Sequence, residues 1–177
     1  MQVIIGIDPS LNSSGIAVIQ HNNAGTVVTY ESVCPKELSS ISRLNYNYNR
    51  YYNILNSYRE IDCVAYECQI NQMRFGGSSG YILQLAENIG ILKLAIYNNP
   101  HIKLVLAVPP GDIKTFATGK HNATKEEMID AVASRHKKSM HTIIAESSIN
   151  DVADAYHLAN YAKQILDNNT YDKYIVK

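Results

Sequence analysis

The chain has 177 residues, which suits one domain with a sizeable hydrophobic core. Hydrophobic residues make up 46% of the sequence and charged residues 18%, a balance that is typical of a globular protein and excludes a disordered one. The formal net charge of +0 provides no global positive field, so any contact with a polyanion depends on a local basic patch.

Two features of the sequence bear on the cellular compartment. The segment from Met1 to Ile5 is apolar but has no basic flank and runs into Asp8, which indicates a strand rather than a signal peptide. The three cysteines form no C-x-x-C pair, and their odd number favours reduced thiols over a disulfide framework. We therefore expect a cytoplasmic protein.

The first third of the chain predicts a meander of three antiparallel strands. Val3 to Ile7 is almost wholly apolar, as expected for a strand that is buried on both faces. Gly15 to Gln20 and Thr26 to Cys34 are rich in strand-forming residues, and His21 to Gly25 between them predicts a hairpin loop.

The middle of the chain predicts two long helices around a fourth strand. Apolar residues recur at spacings of three and four from Ser40 to Arg59, which gives this helix one apolar stripe. Cys63 to Glu67 predicts a buried strand, and the Gly- and Ser-rich segment from Asn71 to Gly80 predicts a loop. A second helix is expected from Tyr81 to Tyr97, and it is largely apolar.

The last part of the chain predicts a fifth strand and further helices. Lys103 to Val108 is the strand, and Gly111 to Ala117 is a short helix. Thr124 and Glu127 fit a capping box that opens a helix ending near Arg135.

A polar connection from His136 to Ile149 precedes the final helix, which Asn150 or Asp151 is expected to cap and which ends near Leu166. The order of elements predicts one α/β domain over residues 1–177. Its sheet is five-stranded and mixed, with three antiparallel strands followed by two parallel strands, and helices cover both faces.

Four acidic residues lie where this topology brings distant segments together. Asp8 ends the first strand and Glu67 ends the fourth, so both side chains lie at the same sheet edge if these strands are neighbours. Asp151 and Asp154 are three residues apart at the start of the last helix and share one face. A helix docked beside that edge would bring the four carboxylates together.

Each acid also has a structural interpretation. Asp8 before Pro9 is a common turn former, and Glu67 at a strand end is often paired with a lysine or with backbone amides. Asp151 and Asp154 suit the positive end of a helix macrodipole. Chance explains the joint placement of all four acids much less readily, so this placement favours a functional site.

Carboxylates placed this closely repel and raise one another's pKa unless a cation neutralises them. Hard oxygen ligands select Mg²⁺, with Mn²⁺ as the expected substitute. The number of ligands suggests a pair of ions, and two ions about 4 Å apart suit in-line cleavage of a phosphodiester. The predicted metal ligands are Asp8, Glu67, Asp151 and Asp154.

Three segments together resemble one nuclease family. Ile5 to Ser10 with Gly15, then Ala65 to Glu67, then Asp151 to Ala155 are similar in order to the RuvC family of Holliday-junction resolvases. That family belongs to the RNase H-like superfamily, so the resemblance implies an RNase H-like fold. The Tyr- and Asn-rich composition resembles its phage and low-GC bacterial branch, which would place the protein in a bacterial or phage-infected cell.

The resemblance implies a Mg²⁺-dependent crossover junction endonuclease. Such an enzyme would be a homodimer that holds a four-way DNA junction and nicks two strands of like polarity. The family's dimer face implies contact through the helix from Tyr81 to Tyr97, and a helix enclosed within the core is the alternative interpretation. Lys125 matches a catalytic basic position near the cut phosphate, and Lys114 matches a second basic position.

Further candidates for DNA contact are less specific. Lys120 and Arg74 can bind phosphates, although isolated surface cations are commonly only solvated. The family places a stacking aromatic three residues after the strand-four Glu, where this chain has Ile70. Phe75 or Met73 can supply the wedge at the junction instead, and the alternative for Phe75 is a loop anchor on the core.

Two histidines, His121 and His157, are candidates to assist catalysis, although a polar-face helix histidine is the commoner explanation of His157.

Three classes of function remain open. The first is the junction resolvase. The second is an RNase H-like nuclease that acts on forks, flaps or RNA. The third is an ATP-binding domain of the actin and sugar-kinase type, against which the chain has neither the length nor a second phosphate-binding hairpin. A non-catalytic DNA-binding module would not need all four acids.

Overall fold

The structure is a computed structural model that describes residues 1–22, 25–33, 38–68, 79–136 and 149–176. Its strands are β1 Gln2–Asp8, β2 Ser14–Asn22, β3 Gly25–Val33, β4 Cys63–Glu67 and β5 Val105–Val108. Its helices are α1 Ser40–Asn56, α2 Ser79–Tyr97, α3 Pro110–Thr118, α4 Lys125–His136 and α5 Ile149–Asp167, with a short 3-10 helix at Asp172–Tyr174.

The five strands form one mixed sheet in the order β3-β2-β1-β4-β5. β1 pairs with β2 and β2 with β3 in antiparallel ladders, whereas β4 runs parallel to β1 and β5 runs parallel to β4. The predicted meander followed by two parallel crossovers is therefore confirmed. The first strand is central because its nearly continuous apolar run is buried on both faces.

Helices cover both faces of the sheet, as predicted. One hydrophobic cluster joins side chains such as Ile4 and Ala65 to α3, α4 and α5, and the other joins Ile5, Ile7 and Val64 to α1 and α2. The alternation follows from the two-residue period of a strand, which directs successive side chains to opposite faces. Within the described residues, no helix combines the length and the apolar character needed to cross a bilayer.

The main corrections concern element ends. The hairpin loop predicted from His21 to Gly25 is wrong in extent, because His21 pairs with Thr26 and Asn22 pairs with Gly25. α1 ends at Asn56 rather than Arg59, where Ser57 hydrogen-bonds back to the carbonyl of Ile54.

Three later boundaries also differ from the prediction. β5 begins at Val105 rather than Lys103. Gly80 belongs to α2 rather than to the loop before it. The last helix begins at Ile149, so Asp151 lies inside the first turn and does not cap it. The predicted loop at positions 71–78 and most of the predicted connection before α5 lie outside the described residues.

The capping box of α4 is confirmed. The backbone N–H of Thr124 donates to Glu127 Oε2 at 2.9 Å, and the N–H of Glu127 donates to Thr124 Oγ1 at 3.2 Å. These two bonds satisfy donors that the first turn of a helix would otherwise leave unpaired. They fix where α4 starts, and therefore where Lys125 is presented.

Two glycines set the distance between α5 and the sheet. A Cβ at Gly15 would lie 1.9 Å from the carbonyl oxygen of Asp151, and a Cβ at Gly6 would lie 2.3 Å from that of Ala155. Both clashes are with backbone, which cannot swing away as a side chain can. The absence of side chains at Gly6 and Gly15 therefore lets the start of α5 rest directly on β1 and β2.

Candidate active site

Two acids stand side by side at the carboxyl ends of the central strands. Ile7 pairs with Tyr66 in the parallel ladder, so the next residues, Asp8 and Glu67, occupy the next row. Glu67 is 9% exposed and Asp8 is only partly exposed. The prediction that β1 and β4 place their terminal acids at one edge is confirmed.

The last helix supplies two more carboxylates. Asp151 lies in the first turn of α5, and Asp154 follows about one turn later on the same side. Because the backbone of Asp151 rests on Gly15, the start of this helix is held close to the strand that follows Asp8. The helix therefore meets the sheet edge where Asp8 and Glu67 lie.

The four carboxylates line one cleft of about 360 Å³. Two lysines, Lys114 and Lys125, also line it. The remaining lining residues are Pro9, Ser10, Pro110, Ile113, Ala123, Thr124 and Met128. Acidic, basic and apolar side chains therefore share one cleft.

The cleft is electrostatically unfavourable for its own acids. Burial raises the pKa of Asp8 well above its ordinary value, and the carboxylates of Glu67 and Asp154 raise it further. Burial, reinforced by Glu67 and Asp151, raises the pKa of Asp154 from 3.8 to about 7. Burial also raises the pKa of Asp151. Negative charge is therefore in excess here.

The lysines offset only part of this excess. Lys125 lowers the pKa of Asp8, Asp151 and Asp154, and Lys114 lowers that of Asp154. The net shift of each of these acids is nevertheless upward. A further positive charge in the cleft would stabilise the ionised carboxylates.

The donor set fits a hard divalent cation by chemistry and charge, because carboxylate oxygens are the ligands that Mg²⁺ and Mn²⁺ accept. Within the described ranges, no three acidic, histidine or cysteine side chains already form a compact ligand set for one ion.

A serine that the sequence did not single out supports one of the acids. Ser13 Oγ donates a short hydrogen bond to Asp151 Oδ2, which lowers the pKa of that carboxyl against the effect of burial. Ser13 belongs to the segment that joins β1 to β2. The contact spans two segments far apart in the chain, so no local pattern could reveal it.

The other predicted contact residues divide into three groups. Lys120 does not line the acidic cleft; its ammonium pairs with Glu127 on the outer side of α4. His121 packs its ring over Gly111 and is exposed. Met73, Arg74 and Phe75, like Ile70, lie outside the described residues.

His157 has a structural role. It is 0% exposed, and its Nε2 donates to the carbonyl oxygen of Met128 at 2.8 Å. Burial lowers the pKa of His157 to about 4, so the ring is neutral near pH 7. It does not line the cleft, and it ties α5 to α4 instead.

The model of the family described as Crossover junction endodeoxyribonuclease RuvC matches residues 4–160 of this chain. The chain belongs to the RuvC family. The match runs from β1 into α5 and so includes all four acids and both cleft lysines. The predicted resemblance is confirmed, and the actin and sugar-kinase alternative is not supported.

Curated and solved relatives agree with this assignment. The RuvC crossover junction endodeoxyribonuclease of Ehrlichia ruminantium (strain Gardel) is 33% identical over 130 residues, covering 71% of this chain and 77% of that protein. The structure of Thermus thermophilus RuvC superposes with a TM-score of 0.75 at 21% identity, covering 99% of this chain and 100% of that one.

Two structures of related proteins contain DNA. Thermus thermophilus RuvC in complex with a Holliday junction substrate matches with a TM-score of 0.77 at 20% identity, covering 99% of this chain and 100% of that one. The fowlpox virus resolvase with substrate Holliday junction DNA matches with a TM-score of 0.58 at 16% identity, covering 93% and 99%. These likenesses show that the chain has the α/β fold of these structures.

The raised pKa of Asp154 predicts how the metal-free protein responds to pH. Because the folded-state pKa of about 7 exceeds the ordinary value of 3.8, folding favours the protonated carboxyl. Its contribution to stability is complete below pH 3.8 and is lost as pH rises through about 7. Asp154→Asn should therefore exceed wild type in free energy of unfolding at pH 8, by on the order of 1–3 kcal/mol, and the gap should close near pH 4.

Urea denaturation in EDTA between pH 4 and 8 measures this difference. Asp130→Asn, on the exposed side of α4, is the matched control and should show no pH-dependent gap. Adding Mg²⁺ at pH 8 should stabilise wild type more than Asp154→Asn. A constant difference between Asp154→Asn and wild type across the pH range would contradict the excess of negative charge in the cleft.

Proposed function

We propose that this chain resolves Holliday junctions by nicking two DNA strands of like polarity at the cleft formed by Asp8, Glu67, Asp151 and Asp154. The observation that carries the proposal is the enclosure of these four carboxylates with Lys114 and Lys125 in one cleft of a RuvC-family chain. The relatives named as crossover junction endodeoxyribonucleases support the reaction, and the relative solved with a Holliday junction supports the substrate.

The four acids would hold two Mg²⁺ ions per active site, with Mn²⁺ as substitute. When bound, the ions supply the positive charge that activates water and stabilises the leaving oxygen in phosphodiester cleavage. The excess negative charge of the cleft supports such a requirement, because divalent cations would neutralise it.

The chain's own residues have separate tasks in this reaction. Lys125 lies beside the acids, and its ammonium is suited to binding the phosphate that is cut and to stabilising its developing negative charge. Lys114 on α3 adds a second positive charge to the cleft. Ile113 and Met128 add apolar surface to the cleft, which would limit the access of water and strengthen these electrostatic interactions.

The open alternative is a nuclease of the same fold that acts on forks, flaps or RNA. It would use the same acids, so the cleft itself does not separate the two substrates. Residues 69–78, which include the candidate wedges Phe75 and Met73 and the candidate phosphate contact Arg74, lie outside the described chain. The choice therefore depends on a direct comparison of substrates.

Wild type should make paired, symmetric nicks in a four-way junction in Mg²⁺, and should leave a fork, a flap, linear duplex and an RNA–DNA hybrid largely uncut. Asp154→Asn should bind the junction with wild-type affinity and make no nicks, because one ligand is replaced by a neutral amide. Denaturing gels and a binding assay in Ca²⁺ measure both properties. Nicking by Asp154→Asn near the wild-type rate would exclude the metal-site assignment, and equal cutting of forks would favour the alternative.

The two lysines of the α3–α4 region provide a matched test of the catalytic cation. Lys125→Ala should slow single-turnover nicking by about 10²-fold, since it removes a charge that faces the reacting phosphate. Lys120→Ala removes an equally exposed lysine whose partner is Glu127, and it should leave the saturated rate unchanged. Equal rates for the two variants would contradict the role of Lys125.

The homodimer is proposed to form through α2. This helix directs Leu85, Leu92 and Ala95 into the core, yet Leu83 and Leu94 on its opposite side are 61% and 50% exposed. Tyr97, Ala86 and Gly90 continue the exposed apolar stripe. An apolar surface on both sides of one helix is typical of an interaction face, and a symmetric contact would join the same stripe from two chains.

Sedimentation at micromolar concentration tests this face. Leu94→Glu should convert a dimer into a monomer, because a carboxylate would be buried against its symmetry mate. Gln84→Glu adds the same charge on an exposed position of α2 away from the stripe, and it should remain dimeric. A monomeric Leu94→Glu variant should also lose paired nicking. If the Leu94→Glu variant stays dimeric, another surface forms the contact.

A cytoplasmic location of the protein also stays a prediction.

A further inference from the structure

A chain of buried hydrogen bonds connects α2 to the loop that follows Asp8, passing through α1. Its side chains are all 0% exposed: Ser14, Asn47, Tyr51 and Asn88. They lie on the α1 and α2 side of the sheet, within a hydrophobic core that includes Ile5, Ile7, Leu55 and Leu92. Such a concentration of polar groups within an apolar cluster requires a physical explanation.

Which partners can donate and which can only accept determines the direction of each hydrogen bond in this network. Ser14 Oγ donates to the carbonyl of Ser10, so it must accept from the hydroxyl of Tyr51, which lies 2.7 Å away. Tyr51 in turn accepts from Asn88 Nδ2 at 2.9 Å. Burial raises the pKa of Tyr51 to about 12, which keeps this hydroxyl protonated and able to donate.

Asn47 connects the same network to the loop backbone. Its Nδ2 donates to Asn88 Oδ1 at 2.9 Å and also approaches the carbonyls of Ser10 and Leu11 at 3.4 and 3.3 Å. All three partners are acceptors, which fixes the orientation of the amide. Among the described residues, no group donates to Asn47 Oδ1. The Asn47 amide thus joins α1 both to Asn88 of α2 and to the backbone of the loop after β1.

The loop held by this network touches the acidic cleft at both ends. Asp8 precedes it, Ser10 lines the cleft, and Ser13 donates to Asp151. At its outer side, Arg43 of α1 donates to Asn12 at 2.6 Å. The network therefore fixes the segment that joins an acid of β1 to an acid of α5.

We propose that Tyr51, Asn47 and Asn88 are positioning residues that hold the loop from Pro9 to Ser13, and through it Asp8 and Asp151, at the spacing that divalent-metal binding requires. The inference rests on the proposed metal-dependent function. The mechanism is indirect, since none of the three side chains lines the cleft. Outer hydrogen bonds that orient ligands commonly determine metal affinity.

Tyr51→Phe removes a single oxygen and breaks the network at its centre. Mn²⁺ affinity measured by calorimetry without DNA should fall by roughly 10-fold or more, and the Mg²⁺ concentration for half-maximal nicking should rise in parallel. Junction affinity in Ca²⁺ should stay close to wild type. Ser14→Ala, which removes the loop end of the network, should have the same effect, and it replaces Tyr51→Phe if that variant does not fold.

Tyr174→Phe is the matched control. Tyr174 is 4% exposed, and its hydroxyl donates to Asp112 and contacts the hydroxyl of Tyr161 at 2.7 Å. It lies in the cluster on the other face of the sheet, so Tyr174→Phe loses a part-buried hydrogen bond without touching the loop. Its Mn²⁺ affinity should equal that of wild type.

The outcomes separate this inference from the proposed function. If wild type binds no Mn²⁺ and needs no divalent ion to nick, the metal site itself is wrong and the positioning role is lost with it. If wild type binds Mn²⁺ and Tyr51→Phe binds it equally well, only the positioning role is overturned. An equal loss in Tyr51→Phe and Tyr174→Phe would also overturn it, because the effect would then be a general loosening of the fold.

Discussion

The arrangement of the candidate active site depends on direct backbone contact between α5 and the antiparallel strands β1 and β2. Neither Gly6 nor Gly15 has a Cβ, and the carbonyls of Ala155 and Asp151 occupy the space that such atoms would need. The helix is thereby fixed close to the sheet at its acidic first turn. A shift of α5 by the width of one methyl group would move Asp151 and Asp154 away from the strand ends that hold Asp8 and Glu67.

The same closeness makes the site costly for the fold. Burial and mutual repulsion raise the pKa of Asp8 and Asp154, and the two lysines compensate only in part. The hydrophobic clusters on the two faces of the sheet must therefore stabilise a region that disfavours its own charges. A fold can maintain such a region when a ligand relieves the repulsion, and divalent cations of the proposed reaction would do so.

Local patterns in the sequence predicted the features that depend on local physics. An acid that ends an apolar strand revealed Asp8 and Glu67, and the Thr124–Glu127 spacing revealed the start of α4. Such patterns did not predict the contacts of Ser13 with Asp151 and of Lys120 with Glu127. These contacts depend on how the loop and α4 pack in the folded structure. Strand ends were misplaced by a few residues for a related reason, since pairing across the sheet overrides local propensity.

Asn47 shows most clearly what a pattern of hydrophobic spacing leaves out. It occupies a buried position of α1, one helical turn before Tyr51. Its low helix propensity indicates only that it weakens the helix. Its role appears once α2 brings Asn88 against it and the loop after β1 brings two carbonyls. α2 thus contributes Asn88 to the network on one side and the exposed stripe of Leu83 and Leu94 on the other. In the proposed dimer, the helix that meets the partner chain would also be the helix that supports the metal-binding loop, so assembly and catalysis would depend on the same element.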